Sequence, residues 1–306
     1  MDDATTMTGA GQVDVMDGRA ATVGSLGVRR ALPHRRRRTV GAWCFADVMG
    51  PAEISGERGV GIGPHPHIGL HTVTWLMVGE VLHRDSLGSE QVVRPGQLNL
   101  MTAGAGVVHS EEGTGRYRGP LHGVQLWVAQ PDATRHGPPA FEHHGELPVT
   151  DVDGAVVTVL VGAVAGERSP ARADSPIVGA EVRVARGASG GGGSRLVLDP
   201  AFEHALVALR GPITVDGVLL APGAMGYLAP GRDAVVVDGP EGSRAMLLGG
   251  VPFPEPVVMW WNFVGRDRAE VAGAGRAWNA DDGRFTSVRS SLGRIDAPVP
   301  TWAMGA

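Results

Sequence analysis

The chain has 306 residues and no lysine; all 27 of its basic side chains are arginine. Schiff-base chemistry on a lysine amine is therefore excluded. Cys44 is the only cysteine, so no disulfide can close within the chain, which fits a reducing compartment. It lies in the apolar run VGAWCFADVM and reads as a small buried hydrophobe rather than a reactive thiol. No apolar run approaches the ~20 residues of a membrane span. The start, MDDATTMTGAGQVDVMDGRA, lacks the basic end and apolar stretch of a signal peptide. A cytoplasmic location without membrane contact is the expectation. Excess positive charge is missing too: a formal net charge of −5 argues against an electrostatic grip on nucleic acid, so no direct contact is expected. Arg35 to Arg38, with Arg29 and Arg30 before them, form a local basic run. It reads as a solvated segment beside a strand, with an acidic partner as the alternative.

What the chain has in plenty is turn punctuation, with 47 Gly and 22 Pro. Between these lie apolar runs of four to seven residues, many β-branched: TVTWLMV, EVLH, QVVR, QLNLM, GVVH and GVQLWVA. They are too short for typical helices, and their spacing predicts an all-β barrel or sandwich. Residues 1–20 read as a mobile tail and 136–150 as a connector rich in Pro, His and Gly; GASGGGGS at 187–194 reads as flexible. Strand-like runs resume after the connector. Gly79 after TVTWLMV matches Gly211 after EHALVALR, and Pro95-Gly96 matches Pro222-Gly223. This predicts two copies of one β-barrel, over 21–135 and 151–265. Near the end, NFVGRDRAEVAGAGRAWN carries helical spacing, with Asn262 as its expected cap, and residues 266–306 are expected to form a helix and a surface tail.

Two short stretches carry the chemistry. His65 and His67 sit in PHPHIGLH, and His109 and Glu111 in VVHSEE. Residues i and i+2 of a strand face the same side. Two such strands side by side would bring three imidazoles and one carboxylate to one point. That donor set suits Fe(II), Mn, Ni, Cu or Zn and contains no thiolate. Any one of the eleven histidines could equally be a surface or packed residue; two dyads in one barrel are the stronger signal. Matching the turn glycines puts Val197, Asp199, Val236 and Asp238 of the second copy opposite the four, so the second barrel is expected to hold no metal. His83, Asp85, Gln125 and Trp127 are candidates to line the cavity, with strand surface or core packing as the plainer alternative. Trp75 and Met101 read as core.

PHPHIGLHTVTWLMVGEVLHRDSLGS, then PGQLNLMTAGAGVVHSE and LHGVQLWV, resemble the pirin family of the cupin superfamily, and VGAWCFADVMGP, SPARADSPIVG and PVVMWWNFVGRDRAEV resemble its flanking motifs. The resemblance implies a bicupin, two face-to-face cupin β-barrels with metal in the N-terminal one. It carries the metal-ligand role onto His65, His67, His109 and Glu111, with Fe(II) as the usual cofactor. Some members cleave the flavonol quercetin with dioxygen; others act as iron- or redox-dependent transcriptional co-regulators. The expectations are a dioxygenase for flavonol or catechol-like substrates, with Glu111 as general base, or a regulatory protein whose partner surface responds to the iron. A metal isomerase is a third class open to such a barrel. A monomer is the default. The departure from the family is His71, where many relatives have Glu; it reads as packed or as a donor behind the ligands.

Overall fold

The computed structural model describes residues 11–56, 58–185 and 192–303. Each half of the chain builds the same pair of sheets. In the N-terminal half, seven strands pair in the order Ala140–His144, Leu98–Thr102, Leu70–Val78, Arg118–Ala129, Trp43–Ser55, Leu26–Leu32, Arg19–Val23. Four more face them, in the order Ile62–His67, Val107–Glu112, Val81–Asp85, Glu90–Val93. The C-terminal half orders seven as Asp14–Met16, Met225–Leu228, Glu203–Arg210, Arg244–Gly250, Ile177–Val184, Ala155–Val161, Val149–Val152, and four as Ser194–Val197, Ala234–Asp238, Ile213–Val215, Val218–Leu220. Strand for strand the two orders correspond. The sheets of each half curl toward one another without being bonded into a closed cylinder. The molecule is an all-β bicupin with one short α-helix among the described residues.

The two seven-stranded sheets share one apolar core. Trp43, Trp75 and Leu126 from the first half pack with Val207, Met246 and Leu248 from the second. Trp43 donates its indole N–H to the carbonyls of Val178 at 3.0 Å and Gly249 at 3.2 Å. Gly179 makes room for that ring: a Cβ there would fall 2.7 Å from it. A buried tryptophan removes ~200 Å² from water, which at ~25 cal/mol per Å² contributes about 5 kcal/mol. This one side chain therefore anchors the junction.

Both ends of the chain cross to the other half. Asp14–Met16 pairs with Met225–Leu228 at the edge of the C-terminal sheet, and Met16 is buried. The expected tail is thus strand from residue 14, because an apolar Val13 and Met16 complete an otherwise open edge. The expected connector also contains edge strands, Ala140–His144 on Leu98–Thr102 and Val149–Val152 on Ala155–Val161. Most of the glycine-rich stretch lies outside the described residues; its last residue, Ser194, opens a strand. The arginine run is also tied down: Arg36 pairs with Asp14, and Arg37 lies over the ring of Tyr227 and 3.6 Å from the buried Glu203 carboxylate.

The helix spans Arg268–Ala280, and its cap is Asp267, not Asn262. Asp267 is extended (φ −144°, ψ 173°) and accepts from the backbone N–H of Glu270, while Glu270 reaches back to the N–H of Arg266 at 2.7 Å. Asn262 falls instead in a hairpin turn between Val258–Trp260 and Phe263–Gly265. Val271, Ala274 and Trp278 bury against Ile68 and Val108, so the helix covers the outer face of the first four-stranded sheet. No helix among the described residues is long and apolar enough to cross a membrane. Cys44 is fully buried, and burial pushes its thiol pKa up to about 12.

Candidate metal centre

The edge strand Ile62–His67 alternates Pro64 and Pro66 with His65 and His67. Proline cannot donate to a ladder, so this alternation belongs on an edge. His65 stands directly across from His109, and His67 across from Val107. Between His65 and Ile62 the register slips, so that Gly63 and Pro64 together oppose Ser110. This bulge turns the Gly63 carbonyl onto His65, whose Nδ1 donates to it at 2.8 Å. His67 Nδ1 donates to the carbonyl of Asn262 at 2.9 Å. With their protons held at Nδ1, both rings present a bare Nε2.

His65, His67 and His109 bring ligand nitrogens within 4.8 Å of one another, all three buried. His67 Nε2 and His109 Nε2 are 3.0 Å apart. Without a metal, an N–H of one ring donates to the other at that distance; with both nitrogens bare, a cation between them relieves the repulsion. An ion with bonds of ~2.1 Å to two nitrogens at a right angle separates them by ~3.0 Å. Burial lowers the pKa of His65 to about 4, and burial with the neighbouring imidazoles takes His67 and His109 well below the usual value. All three are therefore neutral at pH 7, the form that ligates. The residues present fit a divalent metal.

Glu111 does not join that trio. It lines the same cavity, with its carboxyl beside the Thr74 hydroxyl. Burial raises its pKa to about 7, against the lowering effect of that hydroxyl. The cavity holds about 450 Å³, and Thr72, Gln125 and Trp127 are among the residues that line it. Phe45 and Trp127, stacked at 4.0 Å and 15°, both line the cavity. The Arg30 guanidinium lies over Phe45 and pairs with both oxygens of Asp47 at 2.7 and 2.8 Å.

Other sequence candidates fall elsewhere. His71 faces the junction of the barrels: its Nδ1 is 2.9 Å from Thr102 Oγ1, and its Nε2 lies 3.2 Å from Asp174 Oδ2, off-line for a hydrogen bond. It is packed away from the trio, and Gly69, at φ +67°, turns the chain between the strands that carry His67 and His71. His83 and Asp85 are buried behind the trio rather than in the cavity. Trp75 and Met101 are core. Among the cavity residues missed by sequence reasoning is Trp261. It lines the cavity and takes φ +53°, a costly backbone for a bulky side chain, in the turn that delivers the Asn262 carbonyl to His67.

Two stacked cupin units, with a buried histidine trio in the first and, among the described residues, none in the second, define a bicupin of the metal-binding kind. The Pirin family matches residues 25–128 and the Pirin C-terminal cupin domain residues 188–286. A Pseudomonas aeruginosa protein named "Putative quercetin 2,3-dioxygenase" is 45% identical over 94% of this chain and 90% of its own. A pirin-like protein of Caulobacter vibrioides is 36% identical over 87% of this chain and 92% of its own. The crystal structure of a quercetin 2,3-dioxygenase from Acinetobacter baumannii superposes with a TM-score of 0.89 at 39% identity, covering 94% of this chain and 95% of that one. The chain belongs to the pirin family.

Proposed function

We propose that the protein is a mononuclear non-haem dioxygenase for flavonol or catechol-like substrates, with Fe(II) held by His65, His67, His109 and Glu111. The observation that carries this reading is the convergence of three neutral imidazoles in a cavity also lined by the stacked Phe45 and Trp127. The names of the two dioxygenase relatives support the substrate class. Mn, Ni, Cu or Zn would meet the same nitrogen and oxygen donors. When bound, the ion supplies Lewis acidity toward an ionised substrate oxygen and a path for electrons to dioxygen.

The chain's own residues do the rest. Phe45 and Trp127 give the cavity an aromatic lining against which a fused aromatic ring can pack. Gln125, bonded to Thr74 at 3.0 Å, orients the hydroxyl beside Glu111. A carboxyl group with a pKa of about 7 is poised to take the substrate's hydroxyl proton near neutral pH. Arg36 and Arg37 are engaged within the molecule, which removes half of the basic run from any regulatory partner surface.

The test is anaerobic mixing of the iron-loaded protein with a flavonol, followed by oxygen. Binding is expected to shift the flavonol absorption band, and oxygen to bleach it. Glu111→Gln is expected to slow bleaching by ~10²–10⁴-fold. A fully iron-loaded protein that neither shifts nor bleaches any flavonol or catechol overturns the proposal.

A further inference from the structure

Each ligand imidazole needs an acceptor for the proton on its far nitrogen. His65 and His67 use backbone carbonyls. His109 uses a side chain: its Nδ1 lies 3.4 Å from His83 Nδ1. On the opposite edge of that ring, His83 Nε2 lies 3.0 Å from Asp85 Oδ2. The other oxygen of Asp85, Oδ1, accepts from the backbone N–H groups of Leu87 at 2.9 Å and Ser89 at 3.0 Å. Strand register explains the grouping. Val81–Asp85 runs beside Val107–Glu112 with Asp85 across from His109 and His83 across from Glu111, so all four share one face. Phe141 stacks on His83 at 4.5 Å and 15°, which fixes its ring plane. His83 and Asp85 are 4% and 3% exposed, and neither borders the cavity.

The protons can be placed by elimination. Two backbone donors occupy Asp85 Oδ1, so Oδ2 is the oxygen left to accept from His83. That puts the His83 proton on Nε2 and leaves its Nδ1 as an acceptor. When His109 Nε2 ligates a cation its proton must sit on Nδ1, where the bare His83 Nδ1 accepts it. The alternative arrangement, with protons on both facing Nδ1 atoms, sets donor against donor.

We propose that Asp85 and His83 are positioning residues that fix the tautomer and ring orientation of His109 through a carboxylate–imidazole–imidazole chain, and so set the site's affinity for a divalent cation. Unlike the carbonyls behind His65 and His67, this chain ends in a carboxylate. It therefore increases the electron-donating power of the His109 nitrogen as well as aiming it. The assignment rests on His109 being a ligand but not on any turnover.

Asp85→Asn is the sharpest variant because it is isosteric. The asparagine oxygen stays with the Leu87 and Ser89 N–H groups, so its NH₂ turns to His83. His83 must then accept at Nε2 and carry its proton on Nδ1, facing the proton of His109. Co(II) binding to the full chain, followed by calorimetry and by the visible ligand-field bands, reads the effect. Asp85→Asn is expected to weaken Co(II) binding ~10–100-fold and to shift the bands. His83→Asn, whose side-chain oxygen can replace the Nδ1 acceptor, is expected to retain affinity within ~3-fold of wild type, whereas His83→Leu falls with Asp85→Asn. The melting temperature of each metal-free variant guards against misfolding, and His83→Leu carries the test if Asp85→Asn does not fold. Wild-type affinity and bands in both Asp85→Asn and His83→Leu overturn the proposal. A wild-type protein that binds no Co(II) overturns the ligand reading itself.

Discussion

The two barrels share strand order and differ in what fills them. In the C-terminal one, Leu196, Leu206, Val235, Val237 and Leu247 close the interior with buried aliphatic side chains. In the N-terminal one, the corresponding space holds His65, His67, His109, Glu111, Thr72 and Gln125 around a cavity. His204 is the nearest thing to a ligand in the second barrel, a lone buried imidazole whose Nδ1 has no partner. The scaffold therefore folds with either filling. An aliphatic interior stabilises by ~1.5–3 kcal/mol per buried side chain, while neutral imidazoles and a buried carboxyl contribute less and must be satisfied one by one. The first barrel gives up core for chemistry, and the second, joined to it through Trp43, supplies stability that the first lacks.

The largest way to break the contrast is to remove the ligands. His65→Ala with His67→Ala is expected to reduce bound metal from one ion per chain to none, by elemental analysis, while the metal-free protein keeps its unfolding midpoint within a few degrees. Retention of stoichiometric metal would show that the ion binds elsewhere. The converse variant strikes the second barrel. Leu206 is completely buried, so Leu206→Ala is expected to cost ~2–5 kcal/mol, measured by urea unfolding, with metal content unchanged.

Much of this contrast is legible in the sequence. Period-two histidines, short apolar runs and repeated turn glycines point to a duplicated β fold with one set of ligands, and the resemblance of motifs supplies the bicupin. What is hidden is whatever depends on chain parity or on distant segments. A bulge at Gly63 and Pro64, a left-handed Gly69 and the carbonyl of Asn262, 195 residues beyond His67, leave no periodic trace. Edge strands such as Asp14–Met16 and Ala140–His144 are hidden because only one of their neighbours is a strand, so polar residues are tolerated along them. The register of the second copy also slips. Turn glycines align Val197 and Val236 with the ligands, yet Val197 is 64% exposed and the inward positions are Leu196, Val235 and Val237. Loop lengths differ between the copies, and a shift of one residue exchanges the two faces of a strand.

A smaller effect separates Glu111 from the imidazoles. If Glu111 ligates, binding must displace a proton from a carboxyl whose pKa is about 7. Below that pH the group is protonated and metal competes with the proton, so affinity is expected to fall ~10-fold per pH unit from 7 toward 5 and to level off above 7. The imidazoles add nothing in this window, because His65 titrates near 4 and His67 and His109 are also shifted well down. Calorimetry in buffers of different ionisation enthalpy counts the proton released. Glu111→Gln is expected to flatten the dependence; an unchanged slope would remove Glu111 from the ligand set.

The smallest expected effect tests the register of the second barrel. Val197 ends its strand with its side chain in solvent, while Leu196 beside it is 0% exposed. Val197→Lys places a charge in water and is expected to change stability by no more than ~0.5 kcal/mol. Leu196→Lys would bring the same charge among Leu206, Val235 and Leu247, where an unpaired ammonium costs several kcal/mol or loses its proton. Urea unfolding of the pair reads the difference directly. A tolerant Leu196 and a sensitive Val197 would restore the alignment drawn from the turn glycines, and with it the placing of Val197 opposite a ligand histidine. The expected order instead fixes an aliphatic residue at the position where the first barrel holds its metal-binding face.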